Sequence, residues 1–336
     1  MRSTRFETCG DPAQVLSVVE TDRPTPQSGE VLVRMRLSPI NPSDLLYIRG
    51  KYIVSPQLPT VPGFEGVGQV EAAGPGLLGR ILVGRRVAVV NQKAGNWREW
   101  TVVPARQAIA VPRGVADEQA ATFFVNPTTA FAMTRLVLAV PRGEWLLQTA
   151  AGSALGRMVA SLGKYFGFHT INVVRREEQA EQLRRAGMGI VLAFDPEHDP
   201  VDKLQSELGR VAGPVKYAID PVGGATGAAV AAVLGKNGRM LTFGSLSNAP
   251  LSLDPRRMIQ AGSCIQGFSL GDWLTEQSLM QRLSVIRSVM RLVQSGVLHT
   301  FVEQTYPLDR IAEAVEHAAR PGRDGKILLQ LSPAEK

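Results

Sequence analysis

Residues 41–52 read NPSDLLYIRGKY. A metal-binding stretch would carry cysteine or histidine, and this one has neither. It carries Asn41, Asp44, Tyr47 and Tyr52 instead. These groups can work by hydrogen bonding and proton transfer. A tyrosine hydroxyl can steady a developing oxyanion or act as a general acid.

A second stretch with chemistry in it is LLQTAAGSALGRMVASLG, residues 146–163. It reads as a strand, a turn of small residues and a helix. Small residues let a backbone approach a pyrophosphate, whose charge meets the helix N-terminus. The turn is Ala151, Gly152, Ser153, Ala154, Leu155 and Gly156, in which only the last glycine of a full GxGxxG keeps its place. Taken alone it could equally be a plain helix start. About 20 residues on, at the end of the next strand, NVVRREE puts Arg175 and Arg176 where an NAD site would carry Asp or Glu for the ribose. An arginine pair suits a 2′-phosphate, which points to NADPH. The alternative is a solvated pair opening a helix.

The elements that would position these residues are legible from periodicity. EVLVRMRLSPI alternates apolar and polar positions as a half-buried strand does, and GVGQVEAAG and GRRVAVV continue the theme. From about residue 116 the texture changes. ADEQAATFFV, with Asp117 near an N-cap, and NPTTAFAMTRLVLAV read as helices. Then EWLLQTA, HTINVVRR, PVKYAIDPVGG and GRMLTFGSL supply strands, separated by the helical ALGRMVASLGKYFG, EEQAEQLRRAG and ATGAAVAAVLGKNG. That alternation predicts a doubly wound parallel sheet. TEQSLMQRLSVIRSVMRLVQSG reads as one long helix, and HTFVEQTYPL, DRIAEAVEHAAR and GKILLQL as strand, helix, strand. The last strand is expected to complete a sheet begun far away. The fold class is α/β, with a Rossmann domain at 123–271 inserted in a discontinuous, mostly β domain at 1–122 and 272–336.

The 336 residues, 44% hydrophobic and 20% charged, allow about two domains with ordinary cores. The net charge of +7 is spread out, and no basic run exceeds two residues, which argues against nucleic acid and for small anionic molecules. Two cysteines, Cys9 and Cys264, and no CxxC rule out a four-cysteine zinc lobe and a disulfide framework. No apolar run is long enough to span a membrane and the N-terminus lacks a signal-peptide core, so a cytoplasmic protein without a membrane partner is expected.

GDPAQVL, PINPSDLLYIRGKY, LPTVPGFEGVGQV, GNWREW, AATFFVNPTTAFAM, HTINVVRR, DPVGG and GFSLGDWL cover nearly the whole chain. Through them the chain resembles the medium-chain dehydrogenase/reductase superfamily. Within it, the chain is similar to the zinc-independent 2-enoyl thioester reductases of the mitochondrial enoyl-ACP/enoyl-CoA type; EGVGQV and DPVGG are shared with quinone reductases. The zinc enzymes of the superfamily hold their metal through a Cys at about Asn41 and a His before the GFEG glutamate, where Phe64 precedes Glu65 here. The resemblance therefore implies a GroES-like catalytic domain, NADPH and no metal.

It also implies roles. Tyr52 assists reduction of the activated C=C bond, and Tyr47 is its rival, better suited to packing. Asn126 faces the nicotinamide or caps a helix. Gly152, Ser153, Ala154, Leu155 and Gly156 line the pyrophosphate. Phe243, Gly244, Ser245 and Leu246, then Phe268, Ser269, Leu270 and Gly271, lie at strand ends where ligands bind. Lys326 lies near the cofactor phosphates or is solvated. Trp97 and Trp273 wall an acyl pocket or belong to the core. Two departures stand out: Ala154 where glycine is usual, and Glu177 where a further arginine is frequent. The expected activity is NADPH-dependent reduction of enoyl-CoA or enoyl-ACP, with acyl carrier protein a possible partner. The alternatives are a quinone or small enone reductase and a non-catalytic NADPH-binding protein. A homodimer is expected, paired through an edge strand around GRMLTFGSLSNAPLSL.

Overall fold

The computed structural model describes residues 1–332 apart from Gln92 and Ala94. The chain forms two compact units, Met1–Val125 with the chain from His299 onward, and Asn126–Leu298.

The first unit is built on a seven-stranded sheet. Its central strand, Glu30–Pro39, pairs antiparallel with Glu65–Ala73 along one side. The other side is shared. Trp100–Pro104 takes the first half, and Lys326–Gln330, arriving from the far end of the sequence, takes the last residues. The apolar positions of the central strand, Val31, Val33 and Met35, are fully buried, as its alternation predicts. They join a core with Phe6, Tyr47, Ile48, Trp97, Ile327 and Leu329. A short helix, Pro42–Ile48, follows the central strand. Proline at its first position removes an amide that would have lacked a helical partner.

The second unit holds six parallel strands: Trp145–Gln148, His169–Val174, Ile190–Ala193, Val215–Asp220, Leu234–Thr242 and Cys264–Gly267. Numbered along the chain, they lie in the order 3-2-1-4-5-6, the doubly wound arrangement the sequence predicted. Leu146, Leu147, Ile171, Val173, Ala218 and Ile219 are all buried, as strands covered on both faces require. The helix Ala154–Phe166 packs so tightly after the first strand that a β-carbon on Gly156 would lie 2.5 Å from the carbonyl oxygen of Ala151. That clash explains why glycine keeps this position in a turn otherwise altered. Gly167, at φ +80°, ends the helix in the left-handed conformation.

Three expectations differ from the structure. The long helix is two, Leu270–Glu276 and Leu279–Gln294, because Ser278 and Gln281 form a capping box that starts a new one. Both belong to the second unit, so that unit runs to Leu298 and not to residue 271. The chain rejoins the first unit at His299. The next residue, Thr300, exchanges backbone bonds of 2.9 and 2.8 Å with the side chain of Gln119 and is bonded to Thr122. Finally, the strand within GRMLTFGSLSNAPLSL lies inside the sheet, and the edge is Cys264–Gly267.

Candidate active site

The helix that follows the central strand of the first unit opens on a buried polar cluster. Asn41 is its N-cap, and Asp44 accepts from the Asn41 backbone amide at 2.7 Å. The other oxygen of Asp44 accepts from the amide of Phe64 at 3.0 Å. The Asn41 side chain donates to Glu65 at 2.9 Å and accepts from the ammonium of Lys326. The second oxygen of Glu65 accepts from the amides of Phe124 and Val125 at 3.1 and 2.9 Å. Asn41, Asp44, Glu65 and Lys326 are all buried. Charges removed from water need such partners.

Burial dominates the titration of this cluster. It pushes the Asp44 carboxyl up to about 7, against the amides of Asn41 and Phe64, which favour the anion. It raises Glu65, against the Val125 amide and the Asn41 side chain. It lowers Lys326 to about 8, against the carboxylates of Glu65 and Asp44.

The aromatic residues divide around this cluster. Tyr47 is buried, edge-on to Phe6 at 5.8 Å and to Phe64 at 5.3 Å. Tyr52 is half-buried, with its ring 5.3 Å from Phe64. Trp97, expected to wall an acyl pocket or belong to the core, is 0% exposed in the core, and a β-carbon on Gly63 would lie 2.3 Å from its ring. No bound molecule can reach it there. Lys326, which the resemblance placed near the cofactor phosphates or in solvent, is 5% exposed with its ammonium on Asn41.

In the second unit most of the remaining candidates follow the C-terminal ends of parallel strands; Asn126 lies on a helix before the first of them. Ser153 caps the helix Ala154–Phe166 by accepting from Gly156 at 3.1 Å. The first-turn amides of Ala154 and Leu155 have no helical acceptor. Arg175 and Arg176 follow the second strand, both exposed and without an ion-pair partner among the described residues. Glu177, which stands where a further arginine is frequent, pairs with Arg184 at 2.6 Å. Phe243 and Leu246 donate their amides to Asp220 and Pro221 at 3.0 Å, lacing the fifth strand's exit to the fourth's. Ser269 caps the helix Leu270–Glu276, and Phe268 lies 6.3 Å from the half-buried Trp273. Asn126 is the second residue of the helix Val125–Phe131 and half-buried, inside the first turn and not at a cap. A backbone that approaches closely at Gly156, open first-turn amides and two unpaired arginines fit a dinucleotide bearing an extra phosphate.

The sequence reading singled out neither Glu65 nor Gln179, and named Asp44 only among the polar groups of residues 41–52. The signal for Asp44 and Glu65 was a carboxylate in each of the motifs NPSD and GFEG. Gln179 is revealed only by the structure, where a β-carbon on Gly152 would lie 2.5 Å from its amide nitrogen.

Two family models match the chain, the alcohol dehydrogenase GroES-like domain over residues 27–113 and the zinc-binding dehydrogenase over residues 154–285. The chain belongs to the medium-chain dehydrogenase/reductase superfamily. It is 30% identical, over 98% of its length and 95% of the relative's, to a mitochondrial enoyl-[acyl-carrier-protein] reductase of Dictyostelium discoideum. The human protein of the same name is 29% identical, over 96% and 86%. Among solved structures, a putative NADPH:quinone reductase from Bacillus thuringiensis superposes with a TM-score of 0.89 at 33% identity, covering 98% of each chain. The Etr1p/NADP/crotonyl-CoA complex does so with a TM-score of 0.82 at 25% identity, covering 98% of this chain and 99% of that one.

The cluster makes stability depend on pH in a defined way. Asp44, with its folded value raised, contributes stability that is full below pH 3.8 and lost as pH rises through about 7. Lys326, with its folded value lowered, contributes stability that is full above pH 10.5 and lost as pH falls through about 8. Urea unfolding at about pH 7.5 and about pH 9.5 should show the wild type gaining stability relative to Lys326→Met at the higher pH. An unchanged difference between the two proteins would remove the buried lysine as the cause.

Proposed function

We propose that this protein reduces the C=C bond of 2-enoyl thioesters with NADPH and without zinc. The observation that carries the reading is the contrast between the two tyrosines of the opening motif. Tyr47 is boxed in by Phe6 and Phe64, whereas Tyr52 is half-buried among exposed neighbours. The enoyl reductases among the relatives, and the solved complex with NADP and crotonyl-CoA, support the substrate class and the cofactor.

Bound NADPH supplies the hydride that adds to the β-carbon of the enoyl group. The chain holds it through the backbone from Gly152 to Gly156 and through Arg175 and Arg176. As the β-carbon gains the hydride, charge builds on the thioester oxygen. The Tyr52 hydroxyl donates to that oxygen or gives its proton to the α-carbon, and solvent restores the proton. Zinc independence rests on the donor set. Asn41 and Phe64 stand at the metal-ligand positions, and the Lys326 ammonium occupies the polar contact of Asn41, where it opposes a second cation.

The quinone reductases among the similar structures support a second reading on the same scaffold. A quinone ends its reduction on oxygen and takes its protons from solvent. Tyr52→Phe should therefore lower kcat on an enoyl-CoA by about 10²–10⁴-fold while sparing quinone turnover and NADPH affinity. Tyr47→Phe is the control, with little loss expected. Activity should survive EDTA. Full enoyl-CoA activity in Tyr52→Phe would remove the residue from the mechanism, and high turnover of quinones alone would promote the second reading.

Cofactor preference should follow the arginines. Charge-assisted hydrogen bonds contribute roughly 1.5–3 kcal/mol each, so NADPH should bind far more tightly than NADH. Fluorescence titration should show that preference collapsing in an Arg175→Ala/Arg176→Ala variant. Equal dissociation constants in the wild type would count against the assignment.

We also propose a cytoplasmic homodimer, with acyl carrier protein as a possible carrier of the substrate. The edge strand Cys264–Gly267 leaves backbone groups open to pairing. Near it in sequence, Ile259 is 81% and Leu246 52% exposed. Light scattering at micromolar concentration should give twice the 36.3 kDa chain mass, and Ile259→Asp should shift it toward one chain. A wild-type mass of one chain would refute the dimer.

A further inference from the structure

The segment that carries Tyr52 has little regular structure of its own. After the helix ends at Ile48, the chain forms no helix or strand until Glu65, apart from a single bridge between Thr60 and Phe6. Backbone bonds anchor its start, from Gly50 to Tyr47 at 3.0 Å and from Lys51 to Leu46 at 2.9 Å. The neighbours of Tyr52 face water: Ile53 is 70% exposed, and Lys51, Val54 and Ser55 are exposed as well. Tyr52 turns inward, and the ring it meets is that of Phe64.

Phe64, by contrast, is held on every side. Its amide is bound by the buried carboxylate of Asp44, and its carbonyl accepts from Asn91 at 2.8 Å. Glu65, the next residue, is locked by three hydrogen bonds to its carboxylate. On its inner side the Phe64 ring meets Tyr47, which meets Phe6 in turn. The four rings form a row that runs from the fully buried Phe6 to the half-buried Tyr52. Aromatic pairs with centroids 4.5–7 Å apart have a preferred geometry and so fix orientation as well as distance.

We infer that Phe64 is a positioning residue for Tyr52: its ring, fixed through its backbone by Asp44, orients the tyrosine on an otherwise irregular segment. The inference rests on the reading of Tyr52 as the group that acts on substrate. Phe64 has no polar side-chain atom, so its contribution passes through the ring it supports.

A double-mutant cycle on enoyl-CoA turnover tests this, with Phe64→Leu, Tyr52→Phe and the double variant. NADPH affinity and thermal unfolding serve as controls. Phe64→Leu should lower kcat by about 10–100-fold, as displacement of a reacting group does, with NADPH binding unchanged. In the double variant the loss should match that of Tyr52→Phe alone, because the ring has nothing left to position. Phe64→Tyr, which keeps the ring, should restore most of the rate. If Phe64→Leu does not fold, Phe64→Met replaces it in the same cycle. Losses that multiply in the double variant, or a Phe64→Leu enzyme with full activity, would overturn the inference while leaving Tyr52 in place. A fully active Tyr52→Phe enzyme would overturn the underlying reading and this inference with it.

Discussion

The first unit depends on one buried contact, between the ammonium of Lys326 and the side-chain oxygen of Asn41. An isolated charge in such a place would be strongly unfavourable, and breaking a buried pair is worse than never making it. The cluster avoids this by leaving no member alone. Asn41 passes the interaction to Glu65, Glu65 spends its remaining oxygen on two backbone amides, and Asp44 binds two more. Segments near residues 41, 65, 124 and 326 must therefore be in place together. The last strand is bound to the first part of the chain by chemistry as well as by its sheet register.

The approach to Lys326 is secured in the same manner. Glu303 accepts from the amides of Asp324 and Gly325 at 3.1 Å and from His317 at 2.9 Å, and His317 reaches Tyr306 at 2.9 Å. Burial works to raise the Glu303 carboxyl, but the Gly325 amide and His317 outweigh it and hold the group below its ordinary value. Gly325 has no room for a side chain, since a β-carbon would lie 2.7 Å from the Glu303 nitrogen. The residue before the lysine is thus fixed by shape and by hydrogen bonds.

What the sequence revealed and what it hid follow one rule. Features set by neighbours along the chain were legible: the parallel strands from their apolar runs, the Gly156 turn, and the arginine pair at the end of His169–Val174. Features set by distant partners were not. Lys326 in GKILLQL looks like any lysine opening a strand, and nothing local shows that Asn41 will meet it. Trp97 in GNWREW carries no mark that separates a core ring from a pocket wall; its burial comes from Gly63, more than thirty residues earlier. The border near residue 271 was misplaced because helices there continue without a change of texture, and the tie that returns the chain to the first unit is made by Gln119 and Thr122.

Under the proposed zinc-independent reading, a buried positive charge stands where related enzymes would hold a metal. In the zinc enzymes that this chain resembles, cysteine and histidine ligands hold a dication that polarises a carbonyl. On that reading those positions carry Asn41 and Phe64, and the nearby cation is the Lys326 ammonium, whose hydrogen bond is directed inward to Asn41. A lysine bound in that way balances Glu65 and Asp44 but offers no open coordination site to a substrate oxygen. A carbonyl with no built-in electron sink would gain little from it. A conjugated thioester needs less, because its own carbonyl accepts the charge, and a hydroxyl held at the right place completes the reaction. On the proposed reading, Lewis acidity gives way to a buried charge inside and an oriented tyrosine outside.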